Sequence, residues 1–188
     1  EWAPRFSVNY RKNDYDVGVS YNGNTQQPSL QELMAPTVYH SALYITHSNP
    51  SLKPSYQHSL SLTFSNYTKG ISAYLLYRQE INSITQASRY IPQTGGRETY
   101  PVNLNGNWGI NGSFNYEHRF NSLKIGGRGG GNFSQDMGLI DETGDNHLEK
   151  SVTKSSGMDA MVEVSYLPAW GNIDLNASGR CCPMPEDR

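Results

Sequence analysis

The sequence predicts an all-β protein, an antiparallel up-and-down barrel of about eight strands. Two observations predict this fold class. Apolar and polar residues alternate with period two along most of the 188 residues, as they do in strands whose two faces meet different surroundings. Short turns also alternate with longer connections, which is typical of a barrel with its turns at one end and its loops at the other.

The alternation defines eight candidate strands. The clearest is residues 100–120, where Trp108, Ile110 and Phe114 share one side and asparagine and serine fill the other. We expect this segment to be a single long strand. The eight segments are residues 5–10, 15–22, 57–65, 71–77, 100–120, 123–134, 158–166 and 173–178. The only helical pattern is residues 29–34, between two prolines.

The connections between these segments differ in length. Tight turns are expected at residues 11–14, 67–70, 119–122 and 168–171. Longer polar or proline-containing stretches occupy residues 23–54, 92–98 and 141–150. We therefore expect three long loops at one end of the sheet and four turns at the other.

Composition indicates which face meets lipid. Only 17% of residues are charged, against about 25% in an average soluble domain. The polar side of the strands carries mostly Asn, Ser, Thr, Gly and Gln, without the Lys and Glu of a soluble surface. Aromatic residues cluster beside the short turns, as in a membrane girdle; they are Tyr10, Tyr15, Phe64, Tyr67, Tyr116, Phe120, Tyr166 and Trp170. The predicted fold is therefore a transmembrane β-barrel.

Two other architectures fit the same periodicity. A soluble β-rich binding module, such as a sandwich or a lipocalin-like barrel, also alternates, but its apolar face points inward. Leu60, Leu62, Val162 and Val164 would then be buried. The other is a self-contained eight-stranded outer-membrane barrel with an adhesive or structural role.

Three motifs carry a resemblance to a known family. Asn49-Pro50-Ser51-Leu52-Lys53-Pro54 resembles the Asn-Pro-x-Leu-Lys-Pro signature of TonB-dependent receptor barrels, with Ser55 where that family carries Glu. Gln27-Pro28-Ser29 with Leu33 is similar to the element that precedes it. Pro101-Val102-Asn103-Leu104-Asn105-Gly106 resembles a strand start of the outer membrane β-barrel family common in Bacteroidota.

The resemblance implies a barrel of about 22 strands around an N-terminal plug. It further implies import of a substrate across the Gram-negative outer membrane, energised by the TonB complex. We expect the chain to be a C-terminal barrel fragment of such a receptor. Residues 1–180 would supply strands and loops, and residues 181–188 a tail that does not match. The expected partners are outer-membrane lipid and, through a plug absent from this chain, the TonB complex.

Few residues suggest chemistry. No nucleophile with a base and an orienting group is recognisable, so we expect no enzymatic activity. The five histidines form no ligand set, so we expect no metal and no cofactor. With 15 basic and 17 acidic residues, the net charge of -2 gives no attraction to nucleic acid.

The glycine-rich run at residues 126–131 lacks the Lys-Ser/Thr of a phosphate-binding loop. We expect these glycines to lie in a strand, with Arg128 facing the lumen beside Lys124.

The longest loop is the best candidate for ligand binding, because binding residues concentrate on loops held by a rigid scaffold. Its candidate residues are Tyr39, His40, Tyr44 and His47. The alternative is that the loop only shields the barrel mouth. The motif residues Asn49, Pro50, Leu52, Lys53 and Pro54 are expected to shape the return of the loop into the next strand.

Overall fold

The computed structural model describes residues 3–141, 143, 148–166, 168, 171 and 173–181. These residues form twelve strands and one short helix. The elements are β1 (Arg5–Lys12), β2 (Tyr15–Gln26), α1 (Leu30–Met34), β3 (Val38–Ser41), β4 (Tyr44–Thr46), β5 (Ser55–Asn66), β6 (Ile71–Ile81), β7 (Ser83–Ile91), β8 (Gly96–Leu104), β9 (Asn107–Phe120), β10 (Leu123–Asp141), β11 (Glu149–Tyr166) and β12 (Ile173–Cys181). The all-β prediction is confirmed.

Eight of the strands form a continuous antiparallel wall, in the order β1-β2-β5-β6-β9-β10-β11-β12. Each wall strand pairs with the next wall strand along the chain, which is the up-and-down arrangement. Within the described residues β1 pairs only with β2, and β12 only with β11. The sheet is therefore open, and the described strands do not form a closed barrel.

The alternation of short and long connections is confirmed for the connections of this wall that the structure describes. The predicted turn at residues 168–171 and the predicted loop at residues 141–150 lie partly outside the described residues. Two-residue turns join β1 to β2 and β9 to β10, and a four-residue turn joins β5 to β6. Asn13 and Asn121 occupy the left-handed region in the two-residue turns, with φ of 51° and 48°, which asparagine tolerates better than most residues. Gly70 has φ 61°, and a Cβ there would lie 1.7 Å from the carbonyl oxygen of Glu117. Only glycine fits that turn.

The remaining four strands form a smaller sheet in the order β7-β8-β4-β3. It consists of segments from the two longest connections, residues 27–54 and 82–106. Residues 87–89 of β7 pair in parallel with residues 139–141 of β10, and β4 pairs in parallel with β8. The complete twelve-stranded sheet is therefore mixed, whereas the sequence predicted a purely antiparallel one.

The predicted list of eight strands is incomplete, because it lacks β3, β4 and β7. Two further details of it are wrong. Residues 100–120 are two strands, β8 and β9, separated at Asn105 and Gly106, where Gly106 has φ 122°. The alternation continues across this break because the break is two residues long, so the even-numbered positions are apolar both before and after it. Residues 92–98 are no long loop either. They contain the tight turn of the β7–β8 hairpin, and the long connection is the whole of residues 82–106.

The short helix α1 matches the pattern noted at residues 29–34. Ser29 caps it, because the Ser29 side chain accepts from the Glu32 backbone N–H while the Glu32 carboxylate accepts from the Ser29 backbone N–H. This reciprocal pair satisfies two N–H groups at the start of the helix. No helix in the described part of the chain is long and apolar enough to cross a membrane.

The wall has almost no hydrophobic core. Among the described residues the only buried hydrophobic side chains are Leu52 and Ala87, and both lie outside the eight wall strands. Leu62, Val162 and Leu175, on the apolar side of the wall, are 38%, 53% and 69% exposed. Fully burying one such side chain is worth about 1.5–3 kcal/mol. The fold is therefore stable only where something apolar covers this face.

Candidate functional site

The apolar face of the wall is continuous across the strands, because the register aligns apolar residues side by side. One row joins Val8, Val19, Leu62 and Leu75, each directly opposite the next. A second row runs through Tyr10, Val17, Phe64, Ala73 and Phe114. A one-residue slip in any strand would move its polar side chains onto this face. The alternation thus fixes the register as well as the strands.

Aromatic side chains border this face at the end with the short turns. The Tyr15 and Phe64 rings lie 6.2 Å apart, and the His118 and Phe120 rings meet edge-on at 4.3 Å. Tyr10 and Phe120 are more than half exposed. Of the aromatic residues named from the sequence, Trp170 lies outside the described residues.

A second aromatic border lies toward the long connections, and the sequence analysis missed it. The Tyr21 hydroxyl and His58 Nδ1 are 2.7 Å apart, the Tyr56 ring meets His58 edge-on at 4.7 Å, and Trp108 contacts Phe133 at 5.3 Å. Tyr21, His58 and Trp108 stand on the apolar side of their strands, so the alternation could have revealed them. They were not predicted because they do not lie beside the short turns.

The two borders lie at opposite ends of the apolar stretch of the wall strands. His58 and Phe64 are six residues apart on β5, and Trp108 and Tyr116 are eight apart on β9. At about 3.3 Å per residue these separations are roughly 20 Å and 26 Å along the strands. Strands of membrane barrels are tilted by about 35–45°, which reduces these separations to roughly 15 Å and 20 Å along the membrane normal. Both values are smaller than the apolar band of about 25 Å between the aromatic girdles of membrane barrels, so the borders fit at or inside the edges of such a band.

The opposite face of the wall is polar and nearly neutral. The hydroxyl oxygens of Ser20 and Ser61 are 2.6 Å apart on neighbouring strands. Arg128 donates from Nε to Asn115 at 2.9 Å, and Lys124 pairs with Glu117 at 3.1 Å. The glycine-rich run lies within β10, as expected from the sequence. Arg128 and Lys124 are on the same polar face.

A comparison with protein families decides what this wall is. The model of the outer membrane protein beta-barrel family matches residues 1–180. The chain belongs to this family. Outer membrane beta-barrel proteins of this kind lie in the bacterial outer membrane, which confirms the predicted location. Neither a search of curated proteins nor a search of solved structures found a match.

Membership of the outer membrane beta-barrel family resolves which face meets lipid. The exposed apolar row between its two aromatic borders is the lipid-facing surface, and the Ser/Asn/Gly face is the inner one. The soluble alternative required Leu60, Leu62, Val162 and Val164 to be buried. The first three are 39%, 38% and 53% exposed and Val164 is half-buried, and the family is a membrane family.

Three of the four candidate ligand residues lie on β3 and β4, the fourth directly follows β4, and the four do not form one cluster. His40 and Tyr44 share a face, with ring centroids 5.2 Å apart, and His40 Nε2 lies 3.1 Å from the Thr46 hydroxyl. Tyr39 is 72% exposed. His47 is the first residue after β4, and its Nε2 lies 3.2 Å from a Glu98 carboxylate oxygen.

Glu98 is the centre of a line of charges that crosses the small sheet. It is buried, forms an ion pair with Arg89 and lies 3.2 Å from His47 Nε2. Arg89 stands in parallel register with Asp141 of β10, which is also buried. The line His47–Glu98–Arg89–Asp141 therefore runs from the small sheet to the wall. It fixes the position of the loop segments above β10.

The three sequence motifs meet at the junction between the small sheet and the wall. Asn49 donates from its side chain to the Pro101 carbonyl at 2.9 Å and accepts from the Ser51 backbone N–H at 3.0 Å. Asn103 accepts from the Lys53 backbone N–H at 2.7 Å and donates to the Lys53 carbonyl at 2.9 Å. The contacts recorded for these asparagines are all with backbone, so they hold chain segments together.

The rest of the junction consists of an apolar side chain and the prolines on either side of it. Leu52 is buried, and Pro50 and Pro54 flank it where the chain returns into β5. In the motif at residues 27–33, the Glu32 carbonyl accepts from the Asn49 backbone N–H at 2.7 Å, which joins α1 to the motif at residues 49–54. Among the described residues no three His, Cys, Asp or Glu side chains could hold a metal ion. His147 lies outside them.

Proposed function

We propose that this chain is a wall segment of a TonB-dependent-type outer-membrane receptor, which imports a substrate along its polar face. The observation that supports the proposal is the open wall of eight antiparallel strands. Its two outer strands, β1 and β12, each pair on one side within the described residues. Unpaired edges are not tolerated in the hydrocarbon layer, so in this proposal further strands complete the barrel, whereas in the alternative β1 pairs with β12.

The resemblance of the three motifs to receptor barrels supports the same proposal. In such a receptor the lipid-facing row contacts outer-membrane lipid, and a plug outside this chain contacts the TonB complex. The chain would have no enzymatic activity and no affinity for nucleic acid. Its contribution is a surface: an apolar side for the membrane and a hydrogen-bonding side for a solute.

The test is to read the gene that encodes this chain. We expect a plug domain and about fourteen further strands, which with these eight make the roughly 22 of a plugged transporter. A gene that encodes only these strands, without a plug, would refute the proposal.

A cross-linking experiment in the purified protein addresses the alternative of a small, self-contained barrel. Cysteines replace Val8 in the middle of β1 and Ala177 in the middle of β12. In an eight-stranded barrel these strands are neighbours, and strands pair only about 4.8 Å apart. We therefore expect no disulfide between them in the gene product. Rapid formation of that disulfide would favour the small barrel over the receptor.

Lipid accessibility tests the orientation of the wall. Spin labels at Leu60, Leu62, Val162 and Val164 should be relaxed by oxygen dissolved in the bilayer. Labels at the polar-face positions Ser61 and Glu163 should respond to a water-soluble relaxing agent. The reverse pattern would mean that the apolar face points inward.

A further inference from the structure

The polar face contains a recess in which three charged side chains of both signs have no partner. It has a volume of about 200 Å³ and lies near the long connections. Arg78 and Glu80 of β6 and Asp136 of β10 line it. Within the described part of the chain none of the three makes a side-chain hydrogen bond or an ion pair. The other charged pairs of the polar face, such as Lys124 with Glu117, do contact each other.

Register explains why these charges stay apart. Arg78 is directly opposite Gly109 of β9, and Gly109 is opposite Ser134 of β10. Gly109 and Ser134 have small side chains or none, which leaves open space between β6 and β10. The backbone at Gly109 forms the floor of the recess. Asp136 lies two residues beyond Ser134, on the far side of this space. From strand and residue spacings the Arg78 and Asp136 Cα atoms are roughly 12 Å apart.

Arg78 and Asp136 are both exposed and line this gap from opposite strands. A space bordered by charges of both signs suits a small molecule with one charge of each sign. A plain anion would be attracted to Arg78 but repelled by Glu80 and Asp136. A plain cation would be attracted to the two carboxylates but would leave the Arg78 guanidinium without a partner.

We infer that this recess binds a small zwitterion that carries both a carboxylate and an ammonium group, such as a dipeptide or a free amino acid. Arg78 binds the carboxylate, because a guanidinium donates two parallel hydrogen bonds to a carboxylate. Asp136 and Glu80 bind the ammonium. The inference rests on the proposed import function, because the polar face must line a passage for a solute to reach it.

The test uses the full-length gene product in detergent micelles and titrates it with glycylglycine by calorimetry. Two comparison compounds each lack one charge: N-acetylglycine has no ammonium, and glycinamide has no carboxylate. We expect saturable binding of glycylglycine and at least tenfold weaker binding of either comparison compound. R78Q and D136N should each weaken glycylglycine binding at least tenfold.

Matched variants separate the recess from the rest of the face. R128Q removes the same charge near the short turns and should change binding less than twofold. G109L fills the floor of the recess and should abolish binding, whereas G126L places the same side chain on the polar face outside it and should not. A Cβ at Gly109 or Gly126 meets only ordinary contacts, at 3.6 Å and 3.7 Å, and circular dichroism of both leucine variants establishes that they fold.

The inference is overturned if the folded protein binds no glycylglycine, if either comparison compound binds as tightly, or if R78Q binds like the wild type. Circular dichroism and the spin-label pattern on the same samples establish that the wall is folded and correctly oriented. A folded, correctly oriented protein that binds no glycylglycine refutes this inference and leaves the import proposal standing. A gene without a plug refutes the import proposal instead.

Discussion

A charged residue introduced on the lipid-facing side of a strand should lower the free energy of unfolding far more than the same residue introduced at the next position, which faces the polar side. Leu62 lies in β5 between the aromatic borders at His58 and Phe64, so it faces the interior of the hydrocarbon layer. An Arg near the bilayer midplane on the lipid face of a barrel costs about 2–4 kcal/mol. Thr63, its exposed neighbour, points to the polar face, where an Arg remains hydrated. We expect L62R to lower the free energy of unfolding by about 2–4 kcal/mol and T63R by less than about 1 kcal/mol.

The measurement is a urea titration of the full-length protein refolded into phospholipid vesicles, followed by tryptophan fluorescence. A loss of 2–4 kcal/mol corresponds to roughly a 30- to 1000-fold change in the folding equilibrium. The two variants differ by one position and carry the same new side chain, so propensity and size effects largely cancel. Equal losses in both variants, or a larger loss in T63R, would show that the assignment of the two faces is incorrect.

Three further predictions concern the turns and the loop junction. Asn103→Ala removes three side-chain hydrogen bonds to backbone and should lower the free energy of unfolding by about 2–4 kcal/mol. Asn105→Ala removes one such hydrogen bond and should lower it by about 1 kcal/mol. Chemical denaturation measures both, and similar losses in the two variants would contradict the junction described above. Gly70→Ala should lower the free energy of unfolding by at least about 3 kcal/mol, because the new Cβ meets a carbonyl oxygen. Gly95→Ala should lower it by about 1–2 kcal/mol, because its left-handed φ is similar but the space around it is open. Thermal unfolding in micelles compares the two, and an equal effect would mean that the Gly70 turn can relax. Glu98→Gln leaves Arg89 without its carboxylate and changes the contact with His47, and it should lower the free energy of unfolding by about 1–3 kcal/mol. Its local signature is faster tryptic cleavage within the β7–β8 hairpin, and unchanged cleavage would mean that the line of charges does not hold the small sheet.

Most of the wall could be predicted because its strands are long and their residues alternate between an apolar and a polar face. Residues 57–65 illustrate this: the alternation gave the strand, its lipid-facing side and its tight turn into the next strand. The short strands β3 and β4 have only four and three residues, too few for a period to emerge. The merged prediction for residues 100–120 failed for a different reason. Alternation shows on which face of the sheet a side chain lies. It does not reveal a break of two residues, because such a break leaves the alternation unchanged.

The candidate loop residues were harder to predict because their partners are distant in sequence. His47 contacts Glu98, which is 51 residues away, and nothing near His47 indicates that pairing. The Asn103–Lys53 contact likewise joins positions 50 residues apart. The motif residues were recognised by their resemblance, but their role as a junction depends on the path of two long connections. The recess at Arg78 depends on the register of three strands.

The separation of tight turns from long connections has a consequence for engineering. The wall strands pair in chain order, so inserted residues in a long connection leave every wall register unchanged. The turn at residues 92–95 is fully exposed, and a Cβ at Gly95 would meet nothing within 4 Å. A foreign epitope placed there should be displayed on the cell surface by an undisturbed scaffold. The two-residue turn at Asn13 offers no such freedom, since one added residue would shift β1 against β2 and reverse its faces.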